Sequence, residues 1–148
     1  MDSIDDMQEF LEETAVELAE ASMIDKKSWY QTILEYGNEL EHYPDHLRLP
    51  ENEVKGCVSK VYVAAELKEG RVCYYATSDV PIVLGFLAVL VRAVNGLAPE
   101  DVEKAEQPLK DFLIKTNISM SLTPSRANAF GNTFKMMKEK AVEFLEED

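Results

Sequence analysis

Residues 54–77 read VKGCVSKVYVAAELKEGRVCYYAT. From Val54 to Leu67 the run is rich in β-branched residues and tyrosine. Within it Val61, Val63 and Ala65 alternate with Tyr62, Ala64 and Glu66, the period of two that a half-buried strand imposes. Lys68-Glu69-Gly70 supplies a turn, and Arg71 to Thr77 is the returning strand. Gly56 interrupts the start of the run and predicts a bulge or tight turn immediately before Cys57. Counting back from a turn centred near Glu69 pairs Cys73 with Ala65, eight positions beyond Cys57. That register disfavours a disulfide, because bridged Cα atoms approach within about 7 Å.

Helical patterns lie on both sides of this hairpin. Ile4, Met7, Leu11, Thr14, Ala15 and Leu18 recur at helical spacing behind a Ser3-x-x-Asp6 start signal, which predicts an amphipathic helix over 4–21. Trp29, Tyr30, Ile33, Leu34 and Tyr36 continue a 3.6-residue period from Lys26, and Gly37 stands where a left-handed C-cap is wanted. His42 to Asn52, with Pro44 and Pro50, reads as a loop. Ser78-Asp79 offers an N-cap before Pro81, and the apolar run that follows ends at the C-cap signature Asn95-Gly96. Being apolar on nearly every side, this segment is expected to be the central buried helix. Residues 99–105 and 108–116 read as two short helices, and Thr123-Pro124 opens a last one whose stripe is Ala127, Phe130, Phe134, Met137, Ala141 and Phe144. Helices, a small antiparallel sheet, then helices again argue an α+β fold. The organisation expected is an acidic amphipathic helix over 1–25 and a domain over 26–148.

With 148 residues, 46% of them apolar, the chain is long enough to bury a core without disulfide or metal. Its 28 acidic against 15 basic side chains give a net charge of −13, which repels phosphate backbones and anionic lipid. This argues against nucleic-acid and membrane partners. The apolar stretch from Pro81 to Val91 is eleven residues long, short of the roughly 20 a membrane-spanning helix needs. The amino terminus opens on acids with no apolar segment behind them, so cytoplasm is the expected compartment. Met1 to Asp25 carries nine acids and no base, and suits either a solvated helix face or a docking arm for a basic partner.

Cys57 is the residue in which chemistry concentrates. A cysteine after a glycine at a chain reversal can be exposed to a partner, and Lys55 and Lys60 favour its thiolate, the nucleophilic form. The competing reading is a small buried hydrophobe. Cys73, mid-strand, reads as structural, and His42 and His46 in their proline-bearing loop read as surface residues. No Gly-rich phosphate loop, nucleophile elbow or zincin motif occurs, so no cofactor or metal site is expected.

Three motifs, in order, resemble the SufE/CsdE-type sulfur acceptors of iron–sulfur cluster assembly. Asn52-x-Val54-x-Gly56-Cys57-x-Ser59-x-Val61-Tyr62 is similar to the family's N-x-V-x-G-C-Q-S-x-V-W. Ser78-Asp79-x-x-Ile82-Val83-x-Gly85-Phe86 is similar to S-D-A-x-I-V-x-G-L, and Leu122-Thr123-Pro124-Ser125-Arg126 to H-L-[ST]-P-S-R. Val58, Tyr62, Val80 and Ser121 depart from the pattern. The resemblance spans about residues 26–141. It implies a SufE/IscU-like single domain in which Cys57 takes sulfur from the persulfide of a pyridoxal-phosphate cysteine desulfurase (SufS/CsdA-like), stimulates that enzyme, and delivers the sulfur to a SufBCD-like scaffold complex. Gly56, Ser59, Asp79 and Arg126 are then loop or partner-contact candidates, against plainer roles for Asp79 as a helix cap and Arg126 as a first-turn surface pair. A regulatory module that binds a desulfurase without carrying sulfur, and a CsdE-like branch feeding another pathway, stay open. So does the choice between monomer and homodimer.

Overall fold

In the computed structural model, which describes residues 3–56, 60–116, 118 and 124–146, with backbone alone at 124–127, the hairpin closes through two left-handed residues. Glu69 and Gly70 have φ of 53° and 79°, the conformation of a two-residue turn whose twist matches the strands it joins. The turn links β1 (Val61–Lys68) to β2 (Arg71–Ser78), antiparallel from Val61↔Ser78 to Lys68↔Arg71. Cys73 therefore faces Glu66 rather than the expected Ala65, because the turn centres between Glu69 and Gly70 and not on Glu69. The strand also starts later than the β-branched run, at Val61.

A two-stranded sheet has two open edges, and short segments cover both. On the β2 side Val72 N donates to Leu97 O at 2.9 Å and Gly96 N to Val72 O at 2.8 Å. Tyr74 N donates to Asn95 Oδ1 at 2.7 Å. On the β1 side Val54 N donates to Val61 O at 2.8 Å, and Glu53 bridges Tyr62.

Helices build the remaining layers. α1 (Ile4–Ile24) runs one turn beyond the expected span and stops at Asp25, whose carboxylate accepts from Ser28 N at 2.6 Å and so caps α2 (Lys26–Asn38). α3 (Pro81–Val94) is the central helix, buried on nearly all sides. Its N-cap is Val80, without a side-chain cap; Ser78 Oγ accepts instead from Val80 N at 3.2 Å, and Asp79 is exposed and does not stand at the N-cap. α4 (Pro99–Val102) is a single turn. α5 (Glu106–Lys115) begins two residues before Pro108, which the first turn of a helix tolerates because its N–H has no partner there. α6 (Pro124–Glu146) buries Phe130, Phe134, Met137 and Ala141 as its stripe requires, with Phe144 partly covered, while Ala127 lies outside the described side chains.

The expected C-cap at Gly37 is not one. Gly37 lies inside α2, and a Cβ there would sit 3.0 Å from Gly85 N of α3. A Cβ on Gly85 would fall 2.2 Å from Ile33 O, so the two helices pack backbone against backbone. α1 joins the same core through Met7, Phe10, Leu11, Ala15 and Leu18, with its acids turned outward. Glu17 accepts from Tyr36 Oη, and the Arg92 guanidinium lies 4.9 Å from the Phe10 ring centre, tying α1 to α2 and α3. Tyr74 Oη donates to Met137 O at 2.8 Å, joining the sheet to α6. Among the described residues no helix is long and apolar enough to cross a membrane.

Gly85→Ala is expected to destabilise the protein by about 3 kcal/mol, because backbone atoms cannot move aside as a flexible side chain can. Gly131, exposed on α6 with nothing within 4 Å of an added Cβ, provides the contrast: Gly131→Ala is expected to gain about 0.5–1 kcal/mol from helix propensity alone. Urea unfolding of the two variants beside the parent checks both signs.

Candidate functional site

The chain leaves α2 and makes two short 3₁₀ turns, Asp45–Leu47 and Pro50–Asn52, where an irregular loop was expected. Their effect is to seat Asn52. Its side chain is 7% exposed, and its Nδ2 donates to Leu47 O at 2.9 Å, the carbonyl to which buried Tyr43 Oη also donates at 2.7 Å. Asn52 Oδ1 accepts in turn from Lys140 Nζ of α6 at 2.7 Å. Burial of Lys140 disfavours its charged form and lowers its pKa, while Glu143, Glu51 and Glu139 oppose that shift.

From Asn52 the chain is held again at each step. Glu53 and Val54 pair with Tyr62 and Val61, and Gly56 O accepts from Asn132 Nδ2 of α6 at 3.2 Å. Gly56 has φ +80°, and a Cβ on it would lie 2.9 Å from that same Asn132 nitrogen. Glycine is favoured here by its dihedral, and a side chain in its place would displace the Asn132 amide. The turn expected before Cys57 is present. Val54 bonding to Val61 leaves residues 55–60 as a closed loop, of which Cys57, Val58 and Ser59 lie outside the described residues.

The pairing Val61↔Ser78 puts the start of β1 beside the end of β2, so Asp79 stands at the same end of the hairpin as this loop. Asn132 lies six residues after Arg126 on α6, roughly 9 Å along the axis. The first and second sequence motifs therefore share this end of the hairpin through Gly56 and Asp79, while the side chains of the third, including Arg126, lie outside the described set. Cys73 does not join them. It is a half-buried free thiol paired with Glu66, five rungs and roughly 17 Å from the Val61 rung.

Lys55 and Lys60 flank the loop and are exposed, as is Lys135; with Asn132, Met136 and Glu139, Lys55 and Lys135 line a groove of about 230 Å³ beside Gly56. Such cations favour a thiolate over a thiol. Arg48 lies over the rings of Tyr43 and Tyr62 at 5.7 and 5.8 Å, packing the position where the family pattern has Trp. His42 and His46 are exposed, and among the described residues no His, Cys, Asp or Glu cluster is placed to hold a metal ion. Asn132 and Lys140 were not legible as site residues. Their spacing of eight puts both on one helix face, but nothing local says what that face meets.

The fold and the site define a small α+β protein in which the segment leading into Cys57, at one end of a hairpin, is clamped by the last helix. The model of the family described as "SufE: Fe-S metabolism associated domain" matches residues 14–141, and the chain belongs to the SufE family. It is 42% identical over 120 residues to an uncharacterised SufE-like protein of Synechocystis, covering 81% of this chain and 74% of that one. It is 34% identical over 122 residues to SufE-like protein 1, chloroplastic/mitochondrial, of Arabidopsis thaliana, covering 82% of this chain but 32% of the plant protein. The fold is similar to the solution structure of a hypothetical protein from Thermus thermophilus, with a TM-score of 0.70, 21% identity, and 93% and 96% of the two chains covered. Membership assigns the chain to iron–sulfur metabolism and supports sulfur transfer in company with a cysteine desulfurase.

The Lys140–Asn52 tie is testable by a double-mutant cycle. Lys140→Met and Asn52→Ala are each expected to cost about 1–3 kcal/mol, since each leaves the other partner unpaired in a shielded place. The double variant is expected to cost less than the sum of the two. Additive losses in urea unfolding would show that the two side chains do not act on each other.

Proposed function

We propose that Cys57 is the sulfur acceptor, taking persulfide sulfur from a cysteine desulfurase and delivering it for iron–sulfur cluster assembly. The observation that carries this reading is the clamping of the segment just before Cys57, at Asn52 by Lys140 and at Gly56 by Asn132, in a chain of the SufE family. A nucleophile on a short loop with both flanks fixed can reach a partner's site without unfolding the domain that carries it.

The exchange needs no external oxidant. The Cys57 thiolate attacks the outer sulfur of the desulfurase persulfide, a new S–S bond forms on Cys57, the S–S bond on the donor breaks, and the donor cysteine departs as a thiolate. Delivery repeats the step with Cys57 as the leaving group. Lys55 and Lys60 favour the attacking thiolate at the outset. Gly56 gives the backbone the turn that leads into the cysteine; Ser59, Asp79 and Arg126 are the candidates for contact with the desulfurase. The recipient proposed is a SufBCD-like scaffold complex.

Incubation with a pyridoxal-phosphate cysteine desulfurase and cysteine, followed by intact-mass spectrometry and peptide mapping, is expected to show a dithiothreitol-reversible gain of about 32 Da per sulfur on Cys57. Cys57→Ser is expected to abolish the gain and Cys73→Ser to keep it. Desulfurase stimulation that survives Cys57→Ser, with no gain on the parent, would replace the carrier by a regulatory module.

A further inference from the structure

We infer that Asn132 of α6 is a positioning residue for the sulfur-transfer loop, acting through the Gly56 carbonyl; the inference rests on the sulfur-acceptor reading of Cys57. Asn132 Nδ2 donates to Gly56 O at 3.2 Å across 76 positions of sequence, onto the carbonyl whose carbon bonds directly to the Cys57 nitrogen. The contact is steric as well as polar. The Asn132 nitrogen lies 2.9 Å from the place a Cβ on Gly56 would occupy, so a side chain there would push the amide off its position, and the φ of +80° independently favours glycine.

The local sequence of α6 supports an external role for this side chain. Gly131 and Asn132 are adjacent in a helix interior, where both are poorer helix formers than alanine. An asparagine at such a place ordinarily competes with the helix by bonding to nearby backbone. Here its amide reaches another element. The half-buried side chain also forms one wall of the groove it shares with Lys55, Lys135, Met136 and Glu139. Two turns further on Lys140 fixes Asn52, so α6 grips the incoming limb of the loop at two points on one face. Lys140 anchors the limb at a distance of four residues from Gly56, whereas Asn132 fixes the last carbonyl before the thiol.

A group that orients the nucleophile without touching the donor changes the rate of transfer inside the docked complex, and leaves docking alone. The test follows sulfur uptake from a desulfurase and radiolabelled cysteine in single-turnover mode while the desulfurase concentration is varied. Asn132→Ala and the near-isosteric Asn132→Asp, which replaces the N–H donor by an acceptor, are expected to lower the rate constant at saturation about tenfold, with an unchanged half-saturating concentration. Asn132→Gln, which keeps the donor on a longer arm, is expected to recover a large part of that loss. Thermal unfolding midpoints of the three variants within a few degrees of the parent's show that the fold is intact.

Asn132→Asp transferring at the parent's rate overturns the inference. So does Asn132→Gln as slow as Asn132→Asp, and so does a loss that appears in the half-saturating concentration, which would make Asn132 a partner contact. Failure of the sulfur-acceptor reading looks different: the parent itself would take up no sulfur on Cys57.

Discussion

A helix that is apolar on nearly every side must be covered on nearly every side, and α3 imposes this condition on the rest of the chain. α2 answers it most closely. At Gly37 and Gly85 the absence of side chains lets the two backbones approach, and Ile33 O occupies the space a Cβ on Gly85 would need. The sheet covers a second side through Val72, Tyr74 and Ala76, α6 a third, and α1 adds Phe10, whose ring lies under the Arg92 guanidinium. The acidic surface of α1 follows from the same requirement, since a helix with one buried stripe is free to carry charge on its other faces.

The loop that bears Cys57 is anchored on this scaffold. Its two flanks are β-bridged to each other, and its incoming limb is bonded to α6 at Asn52 and Gly56. α6 is itself tied to the sheet by the Tyr74 hydroxyl. A displacement of α6 relative to the hairpin would therefore reach the loop through two hydrogen bonds, one with a shielded acceptor at Asn52 and one on the Gly56 carbonyl. Sulfur exchange between proteins depends on such support, because the thiolate must meet the outer sulfur of its donor in line and within contact distance.

Much of the fold was legible. The two-residue period of 61–67, the turn at Glu69-Gly70, the helical stripes and the Pro and Gly punctuation report local conformation directly. The departures differ in cause. Gly37 carries the signature of a C-cap, yet the approach of Gly85 makes it an internal glycine, and Ser78-Asp79 carries the signature of an N-cap, yet Val80 takes that place. A local signal cannot register a neighbour 48 residues away, the separation of Gly37 from Gly85.

The site divides in the same manner. Sequence alone determined that Gly56-Cys57 marks a reversal, that lysines flank it, and that three motifs match the SufE pattern, because these are properties of neighbouring residues and their spacing. Only the tertiary structure decided that Gly56 and Asp79 share one end of the hairpin, that Cys73 lies five rungs away, and that Asn132 and Lys140 grip the limb before Cys57. Those contacts join positions 76 and 88 residues apart, and which side chains meet across such a distance is set by how helices pack around α3 and not by any pattern along the chain.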